Sequence, residues 1–167
     1  MPLLMRILAG GKSSRLYHEL VYQKKIAQDV SASWDPSMQL GGIVEITATV
    51  QAGHTPEEVE AALADQVRRL REAPPLPEEL QRAKRNLESS LFSQLENVGG
   101  FGGKADQLNY YEMFAHDPQA FTRTLEATLA VGPEQVHAAA RQFLGDEQRV
   151  VITVLPEQKQ AAAGGER

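Results

Sequence analysis

The 167-residue chain contains no cysteine. Disulfides, thiolate metal sites and cysteine nucleophiles are thereby excluded, while the compartment stays open, because cysteine-free chains occur in oxidising and reducing surroundings alike. No apolar run approaches the roughly 18 residues that a membrane span needs. The net charge is −5, with no long basic run, so the electrostatic footprint of a nucleic-acid partner is lacking. "MPLLMRILAGG" makes a poor export signal, since its one positive charge, Arg6, interrupts an apolar stretch too short for the purpose. What composition does supply, 42% hydrophobic and 23% charged residues, is that of an ordinary globular chain long enough for one domain with a real core.

Phosphate loops are lacking as well. Such a loop needs glycine, four residues, then Gly-Lys-Ser/Thr, so that several backbone N–H groups face the phosphates and a hydroxyl meets magnesium. Around Gly11-Lys12-Ser13 the first glycine is replaced by Arg6. Around Gly103-Lys104 the glycine position holds Val98 and the hydroxyl position Ala105.

The apolar stretch Met1 to Leu8 runs into Gly10-Gly11 as a helix runs into its stop. A second helix, capped by Ser13 or Ser14, is expected to reach about Lys24. Val30, Ala32 and Trp34 alternate with polar residues, as do Val44, Ile46, Ala48 and Val50, so two strands form a hairpin with one apolar face. Thr55-Pro56-Glu57-Glu58 is a capping box opening a helix striped by Val59, Leu63, Val67 and Leu70. Pro74-Pro75 stops it, and Pro77 opens another carrying Leu80, Leu87, Leu91 and Leu95. After the glycine cluster "VGGFGGKAD" come a helix over about Lys104–Phe114 and two more announced by Asp117-Pro118 and Gly132-Pro133. Their expected buried sides are Phe121, Leu125, Leu129 and Val136, Ala140, Phe143. "RVVITVL", Arg149 to Leu155, reads as a third strand. The order predicts an α+β fold in which an antiparallel sheet is covered on one face by helices. It predicts one domain over residues 1–157 that lacks its N-terminal strands, and a flexible tail over 158–167. An incomplete sheet leaves an edge open to a second copy of the chain, so homodimerisation through that edge is expected.

No catalytic constellation emerges from the residues themselves. His18-Glu19 begins His-Glu-x-x-His, but Tyr22 stands where the second histidine belongs, and no Glu-His pair exists for the inverse motif. His18, His54, His116 and His137 fall on separate elements and read as surface or loop residues, so no metal ligand is assigned. There is no Gly-x-Ser-x-Gly elbow. Glu57-Glu58 and Glu78-Glu79 sit at helix starts, where capping and the helix dipole account for them. Tyr110-Tyr111 beside Phe114 reads as helix packing ahead of a contact surface.

Three blocks, "LAGGKSSRLYHELVYQKKIAQDVSAS", "LPEELQRAKRNLESSL" and "NVGGFGGKADQLNYYEMFAHDPQAF", taken together resemble the pitrilysin/insulinase family of zinc metallopeptidases, the group that includes the mitochondrial processing peptidase. The likeness runs from about Leu3 to Leu155. It implies the C-terminal, metal-free half of such a peptidase, with zinc on a homologous partner domain or subunit and a peptide as substrate. It also implies that the glycine segment is a joint between helices, and that strands preceding this region complete the sheet. Many members carry an arginine and, seven residues on, a tyrosine that reach toward substrate; here Val21 and Gln28 occupy those places, leaving Tyr22 and Lys24 as the substrate-binding candidates. The alternative implied by the same likeness is a metal-free structural or assembly subunit. Compartment is not implied for this chain; export would suit a bacterial parent.

Overall fold

The structure, a computed structural model, describes residues 1–36 and 41–155. The expected tail over 158–167, and the part of the hairpin connection at 37–40, lie outside the described residues.

Helix α1, Pro2–Ala9, buries Leu3, Leu4, Met5, Ile7 and Leu8. Burial on so many sides makes it the centre of the molecule and not an amphipathic cover. It packs against β1 on one side and α3 and α6 on others. Gly10 ends it as expected, and the reason is steric: a Cβ there would lie 2.4 Å from the Arg6 carbonyl oxygen.

The next helix departs from expectation. Its first residues are α-helical, but Tyr17–Gln23 is a π-helical turn. Ser14 does not cap it through its side chain, because its hydroxyl donates back to the Gly11 carbonyl oxygen at 2.6 Å. Ser14 still marks the start through its own carbonyl, which accepts from the His18 N–H at 3.0 Å. The wide turn closes with the Lys24 N–H on the Glu19 carbonyl at 2.9 Å. Lys25 then takes a left-handed conformation, φ 55°, which costs a residue with a Cβ about 1–2 kcal/mol.

Strands β1, Ala27–Asp35, and β2, Ile43–Val50, form the antiparallel hairpin, with Val30 opposite Ala48, Ala32 opposite Ile46 and Trp34 opposite Val44. The apolar face is the one read from the alternation. A bulge between Ala27 and Asp29 puts Ala27 and Val30, three apart, on the same buried face. Ser31, Ser33, Glu45, Thr47 and Thr49 stay exposed on the other. Among the described residues the sheet has these two strands alone. The expected third strand is absent from it: residues 149–155 are unpaired and exposed, because β propensity fixes an extended backbone but cannot supply a neighbouring strand.

Helices α2, Pro56–Glu72, α3, Pro77–Glu96, α4, Lys104–Ala115, α5, Ala120–Ala130, and α6, Pro133–Phe143, follow in the expected order. The capping box of α2 is formed in both directions, Glu58 N–H to Thr55 Oγ1 at 3.3 Å and Thr55 N–H to Glu58 Oε2 at 3.1 Å. Its buried stripe is rotated from the expected one: Ala62 and Gln66 are buried with Val59 and Leu70, while Leu63 and Val67 are half-buried. In α3 only Leu80 and Ala83 are buried. Helix α4 buries nothing and α5 only Ala120, so Phe121, Leu125 and Leu129 are half-buried at a peripheral lobe. In α6 Phe143 is exposed, and Leu144, just past the helix end, is buried instead. The fold is α+β, with a small antiparallel sheet and helices packed on its apolar face.

Leu8 has no exposed surface, so Leu8→Ala should cost about 2–5 kcal/mol in urea unfolding. Lys25→Gly should do the opposite, raising stability by up to about 1 kcal/mol through relief of the left-handed strain. An unchanged or lower denaturation midpoint for that variant would show the strain to be compensated elsewhere.

Candidate functional site

The π-helical turn gathers the two candidates from the sequence. A residue and its fifth successor face the same way across such a wide turn, and two contacts of that spacing occur here. Lys24 Nζ lies 3.2 Å from Glu19 Oε1, and Gln23 Nε2 lies 3.4 Å from His18 Nε2. His18 also stacks on Tyr22, ring centroids 5.7 Å apart at 29°. Tyr22 is 68% exposed, so it presents one aromatic face outward while the histidine holds the other. The Lys24 ammonium is partly neutralised by Glu19 and remains exposed. Val21 is half-buried against the core and Gln28 is exposed at the β1 bulge. Neither can make the charged or phenolic contacts that the resemblance would place there.

Beside this turn an open cleft of about 480 Å³ lies between the start of the helix at Ser13, the end of α2 and the start of α3. An ion pair crosses it. Arg15 Nε donates to Glu79 Oε1 at 2.8 Å and Arg15 Nη2 to Glu79 Oε2 at 2.7 Å, a two-point fork between residues 64 positions apart in the chain. Glu79 also accepts the Leu76 N–H at 2.8 Å. Burial pushes the Glu79 carboxyl up, but the Arg15 hydrogen bonds, the Leu76 amide and the charges of Arg15 and Arg82 outweigh it and leave the group below the usual glutamate range. Helix capping therefore explains only part of Glu78-Glu79. Gln66, 6% exposed, lines the same cleft; its helical spacing from Val59 and Leu70 puts it on the buried face, but the amino-acid order alone favours the Leu63 and Val67 stripe over it.

The four histidines are not brought together. His18 stacks on Tyr22, His54 Nδ1 lies 3.1 Å from Glu58 Oε2, His116 ends α4 in a left-handed conformation, and His137 Nε2 lies 2.9 Å from the Arg71 carbonyl oxygen. Among the described residues no group of three or more histidine, aspartate and glutamate side chains could hold a metal ion. The donor set among the described residues does not fit zinc. Tyr110, Tyr111, Phe114 and Phe121 pack edge to face and tilted at 5.1–5.8 Å, joining α4 to α5 as the packing reading expected. The glycine segment nearby leaves Phe101 fully exposed, a feature with no local pattern to mark it.

Geometry of this kind defines an α+β domain whose polar features tie helices together and whose described residues offer no metal site. The comparisons identify it further. The family model for the peptidase M16 inactive domain matches residues 1–87, just over half of the chain, and the chain belongs to that family. Among solved structures it is similar to a protein from Bordetella parapertussis named as the inactive peptidase domain of a zinc protease, at 23% identity and a TM-score of 0.79, over 95% of this chain and 84% of that one. A protein from Bordetella pertussis Tohama I, also named as a zinc protease, matches at 23% identity and 0.74, over 89% and 79%. A protease from Helicobacter pylori matches at 22% and 0.72, over 88% of this chain; the present chain spans about a third, 34%, of that one. At such identities the structures speak for the fold. No curated protein matches the chain.

The ion pair makes stability depend on acid. Since the folded pKa of Glu79 lies below the unfolded value of about 4.3, its contribution is complete above that value and is lost as pH falls through the folded one. Thermal melts from pH 7 to pH 3 should show this loss. Glu79→Gln should cost about 1.5–3 kcal/mol at pH 7 and flatten the acid limb; an equally steep limb in the variant would assign the acid sensitivity to other carboxylates.

Proposed function

We propose that this chain is the non-catalytic half of a zinc metalloendopeptidase, forming a wall opposite a homologous zinc-bearing half and helping to hold an extended peptide. The observation that carries the reading is the match to the M16 inactive domain over residues 1–87. Two features of the chain support a role in holding peptide. Among the described residues the sheet ends at β1 and β2, and at a strand edge an extended chain can add by main-chain hydrogen bonds with little demand on its sequence. Tyr22 and Lys24 stand exposed on one turn, an aromatic face and a cation able to meet a peptide's side chains. In this reading the chain binds and orients, and the bond-breaking chemistry belongs wholly to the other half.

A second reading is a metal-free structural or assembly subunit. The half-buried Val21 favours it, since an apolar side chain packed on the core serves stability and not substrate contact.

Peptide cleavage decides between them. The chain alone should cleave nothing. Co-expressed with a half bearing His-x-x-Glu-His, from upstream in its frame or an adjacent one, it should yield chelator-sensitive cleavage of a fluorogenic peptide. In that assembly Tyr22→Ala should lower kcat/KM by about tenfold, equivalent to roughly 1.4 kcal/mol of lost binding. Unaltered kinetics in both Tyr22→Ala and Lys24→Ala would remove those residues from the substrate path. Hydrolysis by the isolated chain would overturn the whole reading.

A further inference from the structure

The open cleft beside the π turn and a second, smaller cavity form one furrow. The smaller cavity, about 10 Å³, lies between the end of α1 and the first turns of α3, and it shares Ser13, Ser14 and Glu79 with the cleft. Its volume suits one water molecule or one oxygen atom of a ligand. Charge along the furrow does not balance. Four arginines, Arg6, Arg15, Arg69 and Arg82, line it against two glutamates, Glu19 and Glu79, in a chain whose net charge is −5. Both glutamates are committed elsewhere, Glu19 to Lys24 at 3.2 Å and Glu79 to the Arg15 fork and the Leu76 amide. Arg69 is held by Asp65 at 2.7 Å. The ion pairs among the described residues engage six arginines, and neither Arg6 nor Arg82 is one of them. Both are half-buried, and burial alone acts on the Arg6 guanidinium, lowering it from its ordinary pKa. A guanidinium that has lost water without gaining a counter-charge is a ready partner for a carboxylate, which it can meet through a two-point fork.

Gln66 adds a different demand from the α2 side. Its amide has no hydrogen-bond partner among the described residues, yet no described side-chain polar atom is sealed from solvent without one, so this nearly buried amide opens on the cleft. An amide donates and accepts at once, which suits a peptide group better than a simple anion. We propose that the furrow binds an acidic segment of peptide, its carboxylate held by Arg6 and Arg82 and a main-chain amide by Gln66. His18 and Glu19, the residues that hold Tyr22 and Lys24, line the same furrow, so a peptide lying in it leads on to that turn. The proposal names the substrate class of the peptide-holding reading above and rests on that reading for its place in proteolysis, while the binding itself needs no zinc-bearing half. The excess of arginine also sets where such a peptide settles, because a chain of net charge −5 repels it over the rest of the surface. The carboxylate can come from an aspartate or glutamate side chain or from the end of a peptide, and the two share the same chemistry.

Fluorescence anisotropy with the full chain alone tests it. The probes are N-terminally labelled octapeptides of one otherwise neutral sequence: one with a central glutamate and an amidated end, one with glutamine in its place, and the glutamine form with a free C-terminal carboxylate. A carboxylate-bearing peptide should bind about tenfold tighter than the neutral one, and added salt should shrink that margin. Arg6→Gln and Arg82→Gln should each abolish the margin. Lys104→Gln, which removes the same charge from the exposed start of α4, should keep it. Gln66→Leu should weaken all three peptides alike. The carboxylate peptide that shows the margin assigns the source, a side chain or a chain end. Arg82 lies on α3, away from the central helix, so its variant carries the test if Arg6→Gln misfolds. Equal binding of charged and neutral peptides, or a margin that survives Arg82→Gln in a folded protein, would overturn the carboxylate site. Inorganic phosphate binding more tightly than every peptide would overturn the peptide as occupant. Absence of any binding would overturn the furrow as a site, while the cleavage assay above decides the wall reading separately.

Discussion

Burial of α1 on nearly every side is the constraint on which the rest of the domain depends. Five of its eight residues are buried, and β1, α3 and α6 are placed by contact with them. A helix in that position has no room for a polar stripe, which is why the stretch Pro2–Ala9 carries Arg6 alone among charged residues. Arg6 itself is only half-buried, and that partial burial lowers its guanidinium from its ordinary pKa. The sharp exit at Gly10 follows from the same crowding. The chain must leave the core without a Cβ against the Arg6 carbonyl, and turn at once into the helix that supplies Leu16 and Leu20.

The polar contacts are subordinate to that packing and work by joining its parts. Arg15 and Glu79 bridge the helix after the glycine joint to the head of α3, and Glu79 also secures the Leu76 amide. One carboxylate thus fixes a helix start and a tertiary contact together. Removing one member would strand a largely buried charge, so the pair constrains the structure more through the penalty of its loss than through net gain in its presence.

What could be read from the amino-acid order was whatever depends on near neighbours. The Thr55–Glu58 box, the glycine stop after α1 and the apolar face of the hairpin are local, and each holds in the structure. Features that depend on distant partners were not legible. Arg149–Leu155 has the composition of a strand, but strandhood is a property of two strands side by side, and among the described residues no strand lies next to it. The stripes of α5 and α6 were overstated because periodicity locates a face without saying whether anything covers it, as exposed Phe143 shows. At the candidate site, Tyr22 and Lys24 were found as residues, while their support was not. The π turn that pairs Lys24 with Glu19 and Gln23 with His18 has no sequence signature, and Gln66 hides inside an otherwise apolar stripe.

An inactive member of a peptidase family keeps a demanding architecture while its catalytic ligands are free to vanish, and the arrangement here explains how the two come apart. The four histidines each have a local contact, one stacking on a tyrosine, one beside a helix-capping glutamate, one ending a helix and one on a backbone carbonyl. None contributes to the cluster around α1, so gain or loss of metal chemistry at those positions leaves the core unaltered. Positions that touch the core are held by packing instead: Val21, set where the resemblance would place an arginine, lies half-buried against buried side chains. Shape, edge and exposed side chains are what such a domain has left to offer a partner, and all three are set by how α1 is enclosed.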